Sequence, residues 1–200
     1  IMKKYSIGID LGGTKILTAL VDRSSGEVVH FVKKKIKKEK GAENIVNKMV
    51  CSINELLEES KVNIEDINSI GVAAAGQIDR DHGIILGAPN LECFDLNIRD
   101  ILEGEFKLPV YLANDVEAAT LGELKFGAGK GVDDLVCVFV GTGVGSCIVK
   151  EGKIVRGATG TAGEIGHIIV DLNGRQCACG AHGCLEAYAS RSAIEKRIEG

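Results

Sequence analysis

Three cysteines crowd one short segment, Cys177-Ala-Cys179-Gly-Ala-His182-Gly-Cys184. Thiolates at these spacings, joined by one imidazole, make the four-ligand set that a structural Zn²⁺ takes. Gly180 and Gly183 allow so short a chain to wrap an ion. Two imidazoles compete for the fourth place, His182 and the His167 of Gly163-Glu-Ile-Gly-His167. His182 lies inside the Cys179–Cys184 loop and would strain it, so His167 is the expected ligand. A set closed at four protein ligands is structural and leaves no position open for Lewis-acid chemistry.

A second chemistry is written in glycine and threonine. Asp10-Leu-Gly12-Gly13-Thr14-Lys15 ends one strand-like segment and turns back into another. Gly12 and Gly13 let a backbone approach a ligand, with N–H groups free to face anionic oxygens. Thr14 adds a hydroxyl, and Asp10 can hold a hydrated Mg²⁺. Neither the Walker pattern nor the dinucleotide fingerprint is present, since both open a helix. Gly141-Thr142-Gly143-Val144-Gly145 repeats the solution later in the chain, which suggests two phosphate-holding jaws facing one cleft. A plain hairpin turn is the structural alternative for either one. Asn114-Asp115 follows an apolar strand and precedes a helix, where α/β sheets bind ligands. Asp115 there can take the proton of an attacking hydroxyl, or it can simply cap the helix.

The elements that must position these groups follow from periodicity. Alternating apolar residues predict strands over 5–11, 16–21 and 28–32, a meander with glycine turns. Ile45, Met49, Ile53, Leu56 and Leu57 recur at helical spacing over 43–59. Strands are expected at 67–73, 84–86 and 110–113, and a helix at 116–126. After the glycine-rich 127–131 the pattern restarts, with strands at 134–140, 146–150 and 153–155 and a last helix from Arg191. The restart reads as an internal duplication. The expected domains are 1–115 and 116–200. Lys33 to Lys40 holds six lysines and reads as a solvated sheet edge.

Composition bounds the function. The 200 residues are 45% hydrophobic and 26% charged, an ordinary globular balance. A net charge of −4 argues against a protein built mainly to bind nucleic acid. No apolar run approaches the ~18 residues of a membrane helix, and no signal-peptide core opens the chain. A cytoplasmic protein is expected, and in that compartment the cysteine cluster suggests metal before disulfide. The isolated Cys51, Cys93, Cys137 and Cys147 read as small buried hydrophobes.

Asp10–Lys15, Asn114-Asp115, Gly141–Gly145, Glu164–His167 and Cys177–Glu186, in that order, together resemble the ROK family (repressors, open reading frames and kinases), over the whole chain. The resemblance implies an α/β protein of the actin-like ATPase (ribonuclease H-like) fold, with two duplicated β-meander/α domains, the second incomplete. It implies ATP-dependent phosphorylation of a hexose, glucose to glucose 6-phosphate, as in bacterial glucokinases, with ATP, Mg²⁺ and a structural Zn²⁺. Asp115 would be the general base. Asn114, Asp115, Glu164, His167 and Glu186 would bind the sugar, with Gly76 and Asn90 lining the same pocket. Asp10, Gly12, Gly13, Thr14, Lys15 and Gly141 to Gly145 would hold the phosphates. His167, Cys177, Cys179 and Cys184 would hold the zinc, with His167 facing the sugar through its other nitrogen. A dimer or tetramer is expected, without nucleic-acid or membrane partners. The alternatives are a sugar-sensing regulator without its DNA-binding part, an excised zinc module, or a kinase for mannose, fructose, N-acetylglucosamine or N-acetylmannosamine. Compared with the family, the chain starts at the first strand and stops at Gly200, where more of the second domain is expected.

Overall fold

The alternation read from the sequence sorts the first strands into one covered sheet face. β1 (Tyr5–Leu11), β2 (Lys15–Asp22) and β3 (Val28–Lys35) form an antiparallel meander in a computed structural model that describes residues 3–36, 41–88 and 91–199. Ile7 opposes Leu20, Ile9 opposes Thr18 and Leu11 opposes Ile16, and all six are buried. Helix α1 (Ala42–Ser60) covers that face with Ile45, Met49, Ile53 and Leu56, at the spacing that aligns one helical stripe. The one polar pair in this layer is satisfied, Thr18 and Ser52 sharing a hydrogen bond of 2.6 Å.

β4 (Ile67–Ala74) joins β1 in parallel. A small antiparallel sheet follows, β5 (Gln77–Asp79), β6 (Ile84–Ala88) and β7 (Cys93–Asn97). Helix α2 (Ile98–Phe106) begins at an Asn97 cap, whose side chain accepts from the Asp100 N–H. β8 (Val110–Asn114) then returns parallel to β4, giving the sheet order β3-β2-β1-β4-β8. β5, β7 and α2 are absent from the sequence reading. β5 is three residues long, and α2 is a short amphipathic helix of nine residues, about two and a half turns, between the expected strands.

Helix α3 (Asp115–Phe126) crosses the division between two compact units, Ile1–Ala118 and Ala119–Gly200. The second unit opens on another antiparallel meander, β9 (Leu135–Val140), β10 (Val144–Lys150) and β11 (Lys153–Ile154). A long segment of turns follows, then α4 (Glu186–Ala189) and α5 (Arg191–Glu199). β3 is an outer strand, as the lysine run suggests, and Lys34 pairs with Glu55 of α1. Lys37, Lys38 and Lys40 lie outside the described residues. Cys93 and Cys147 are buried and Cys137 is partly so, but Cys51 is exposed, because it falls on the outer side of α1. Among the described residues no helix is long and apolar enough to cross a membrane.

Candidate functional site

Strand direction gathers the candidate residues of the first unit. β1, β4 and β8 run parallel, so their C-terminal ends share one sheet edge. Asp10 pairs with Ala73 across β1 and β4, and Asn114 pairs with Ala74 across β4 and β8. Asp10 and Asp115 thereby meet at that edge from strands remote in sequence. Asp10 is exposed, yet its carboxyl is held above the usual carboxylate range. Loss of surrounding water is the first cause; Lys15 pulls the other way and the Asp115 charge adds to the rise.

The helix cap falls to Asn114. Its Oδ1 accepts from the N–H groups of Val116 at 3.0 Å and Glu117 at 3.4 Å. Asp115, half-buried, commits only Oδ1 among the described residues, to the Val116 N–H at 3.0 Å. Beside it the first glycine turn is closed by its own backbone, the Gly12 N–H donating to Lys15 O at 3.0 Å. Thr14 and Lys15 are exposed. Gly76 lies just past β4, where a Cβ would stand 2.3 Å from Gly87 O, so it joins two backbones whatever else it does. Asn90 lies outside the described residues.

In the second unit the structure gathers His167, Cys177, Cys179 and Cys184, with all four ligand atoms within 4.8 Å of one another. The Cys179 and Cys184 sulfurs are 3.7 Å apart, and Cys177 Sγ is 3.9 Å from His167 Nδ1. Ligands about 2.3 Å from a tetrahedral zinc stand roughly 3.8 Å apart, so the donor set fits that ion. His182 is not in the group; its residue bridges to Gln176 instead. Gly183 has no room for a side chain, since a Cβ would stand 1.7 Å from Asp171 O, and this contact folds the loop back on itself. Burial first, then the neighbouring thiols, pushes Cys184 up to about 11. Exposed Cys179 is lowered, first by the Ala181 N–H and then by Cys177.

The cluster adjoins the second glycine turn through Glu186. Its Oε2 accepts from the Val144 N–H at 2.9 Å, and Cys177 Sγ lies 3.8 Å from its Oε1. The turn is held further by the start of α5, where the Arg191 N–H donates to Gly141 O at 2.8 Å and Ser192 Oγ to Thr142 O at 2.8 Å. Glu164 is exposed ahead of the 3-10 turn Ile165–His167. Gly166 packs that turn flat on β10, where a Cβ would meet Val144 O at 2.1 Å. Glu186, Glu164, His167 and the turn Gly141–Gly145 thus form one neighbourhood. Arg191 and Ser192 were not legible as part of it, for nothing in a surface-type helix start signals a turn elsewhere.

A parallel-edged five-stranded sheet and a repeated glycine-turn meander define an ATPase-type α/β chain with the actin-like fold. The chain belongs to the ROK family, whose model matches residues 6–200. It is 36% identical over 191 residues to a glucokinase of Thermotoga maritima, covering 95% of this chain and 58% of that one. It is 37% identical over 193 residues to a putative xylose repressor of a Caldicellulosiruptor species, covering 96% of this chain and 48% of that one. Among solved structures, a ROK glucokinase of Streptomyces griseus in complex with glucose and AMPPNP matches with a TM-score of 0.80 at 38% identity, over 96% of this chain and 59% of that one. The chain therefore spans about half to three-fifths of the length of these relatives. The same family region thus occurs in relatives named as glucokinases and in one named as a putative xylose repressor.

Proposed function

We propose that this chain carries the sugar site and phosphate turns of a cytoplasmic ATP-dependent hexose kinase, with glucose as acceptor. The observation that carries this reading is the carboxylate edge of the first unit, where Asn114 caps the helix and Asp115 keeps an oxygen for chemistry. Phosphoryl transfer runs through a loose transition state, so the protein supplies alignment and charge. Asp115 accepts the proton of the attacking sugar hydroxyl. Asn114 orients that hydroxyl from the end of β8. Asp10, beside Asp115, is placed to hold the water shell of a Mg²⁺, which neutralises phosphate charge when bound. The backbone N–H groups of the glycine turns serve the phosphates. That role excludes the Gly12, Gly141 and Val144 N–H groups while Lys15 O, Gly143 O and Glu186 hold them.

In the second unit Glu164, His167 and Glu186 are the sugar-binding side chains, and His167 with the three cysteines is the zinc set. With zinc bound there, His167 would be held in the orientation that faces the sugar. Gly76 and Asn90 complete the sugar lining, and the active form is a homo-oligomer. ADP release by the full chain, measured against glucose, mannose, fructose, xylose and the N-acetylated amino sugars, tests the reading. Turnover with glucose is expected. Asp115→Ala should lower kcat by roughly 10²–10⁴ and leave sugar binding intact. Kinetics within a few-fold of the parent would leave Asp115 without a catalytic role.

The repressor relative supports a second reading, a sugar-responsive regulator. Sugar binding by the full chain with no turnover on any of these acceptors would establish it instead.

A further inference from the structure

Helix α3 carries the proposed base, yet apolar packing holds it weakly. Of its twelve residues only Thr120 is buried, and Leu121 and Phe126 are exposed. Its first turn is placed by polar contacts instead. Arg80, in the turn after β5, sends Nη1 to both carboxylate oxygens of Glu117, at 2.9 and 2.8 Å. The two side chains are only 23% and 13% exposed, so water screens the pair little. Glu117 lies two residues after Asp115, in the same helical turn.

The turn that presents Arg80 is itself fixed. Arg99 of α2 donates Nη2 to Arg80 O at 2.7 Å and Nη1 to Asp81 O at 2.6 Å. Its Nε reaches Val110 O, the first carbonyl of β8, at 3.2 Å. Two arginines thus tie one turn to both ends of β8. Arg99 grips the start of the strand, and Arg80 grips the helix that follows its end.

We infer that Arg80 and Glu117 are positioning residues that set where Asp115 stands. The inference rests on the reading of Asp115 as the base. Asn114 caps α3 but is also held by strand pairing with Ala74, an anchor Asp115 does not share, so loss of the pair moves the base more than Asn114. An error of an ångström at a catalytic group is enough to cost turnover heavily. Both contacts come from a single nitrogen, so one ammonium can replace it. That separates this pair from a bidentate fork, where lysine fails.

The test uses the full chain and kcat per folded molecule. Arg80→Met and Glu117→Leu should each lower kcat about tenfold or more, with the sugar KM within about twofold. The double variant should fall no further than either single, because the pair acts as one unit. Arg80→Lys should return kcat to within about threefold of the parent. A readout without turnover accompanies these. Amide exchange at Val116 and Glu117 should quicken about tenfold in Arg80→Met, while Val72 of β4 stays protected. Unchanged kcat and exchange in Arg80→Met, or multiplicative losses in the double variant, would overturn the inference. Asp115→Asn separates the two claims. A loss of about a hundredfold there with no loss in Arg80→Met overturns the positioning alone, and unchanged turnover in Asp115→Asn overturns both.

Discussion

The two glycine-threonine turns share a sequence pattern and differ in what holds them. The first joins β1 and β2, whose inward residues Ile7, Ile9, Leu11, Ile16 and Leu20 are at most 2% exposed. Its backbone closes on itself through Gly12 and Lys15, and a covered sheet stands directly behind it. The second joins β9 and β10, where β10 buries Val144, Cys147 and Val149 but Val136, Val138 and Val140 of β9 are 52–63% exposed. That turn also closes on its own backbone, the Gly141 N–H donating to Gly143 O, and it is held in addition from the side by Glu186, Arg191 and Ser192, groups that fall in or after the cysteine loop in sequence. A hairpin can thus be fixed by the core under its own strands or by polar contacts from a later segment. The first kind is local and robust. The second depends on whether the later segment is itself folded.

That dependence is where the contrast can be broken most strongly. Protein purified without chelator should hold about one zinc per chain, and Cys179→Ser should lose it. Losing a structural zinc removes several kcal/mol from the fold around it. Amide exchange at Val144 should then rise steeply, while the Gly12 amide keeps its protection. Full zinc in Cys179→Ser, or equal change at both amides, would show that the turns are held alike.

A smaller effect sharpens the difference in cores. Leu20→Ala, at 0% exposure, should destabilise the first unit by about 2–5 kcal/mol. Val138→Ala, at 52% exposure, should change stability by no more than about 0.5 kcal/mol. Urea midpoints of the two variants check this, and equal losses would mean that β9 is as well covered as β2.

The smallest effect concerns Asp10. Its folded-state pKa is raised, so the folded chain disfavours the ionised carboxyl relative to the unfolded chain. The penalty is present at neutral pH and vanishes as pH falls below the ordinary aspartate range, where both states are protonated. Asp10→Asn should therefore unfold at slightly higher urea than the parent at pH 7, and at the same urea near pH 3. Lower stability at pH 7 would show that the Lys15 attraction outweighs the lost water.

Much of this was legible in single residues. Period-two alternation marks β1 to β4 and β8 to β10, because one face of each strand must leave water and the other need not. The 3.6-residue period of Ile45, Met49, Ile53 and Leu56 marks α1 for the same reason. The spacing of the three cysteines marks a metal-type loop, since a short chain can bring these thiols together only by wrapping. The preference for His167 over His182 followed from loop strain, and the folded loop groups the same imidazole. β5, β7 and α2 escaped because elements of three to nine residues carry too few periods to stand out.

Tertiary structure alone decided the rest. That Asp10 and Asp115 share an edge depends on β1 and β8 both pairing in parallel with β4, and strand order is not encoded in either strand. Asn114 rather than Asp115 became the cap because β8 runs directly into α3, so that Asn114 is the residue before the helix and Asp115 is already its first. Arg80 and Glu117 lie 37 residues apart, and Glu186 lies 42 from Val144. Charges and carboxylates are common on any surface, and no local pattern says which will meet. Sequence sets the local periods and the donor types. Long-range pairing, fixed by which apolar faces bury together, sets the partners.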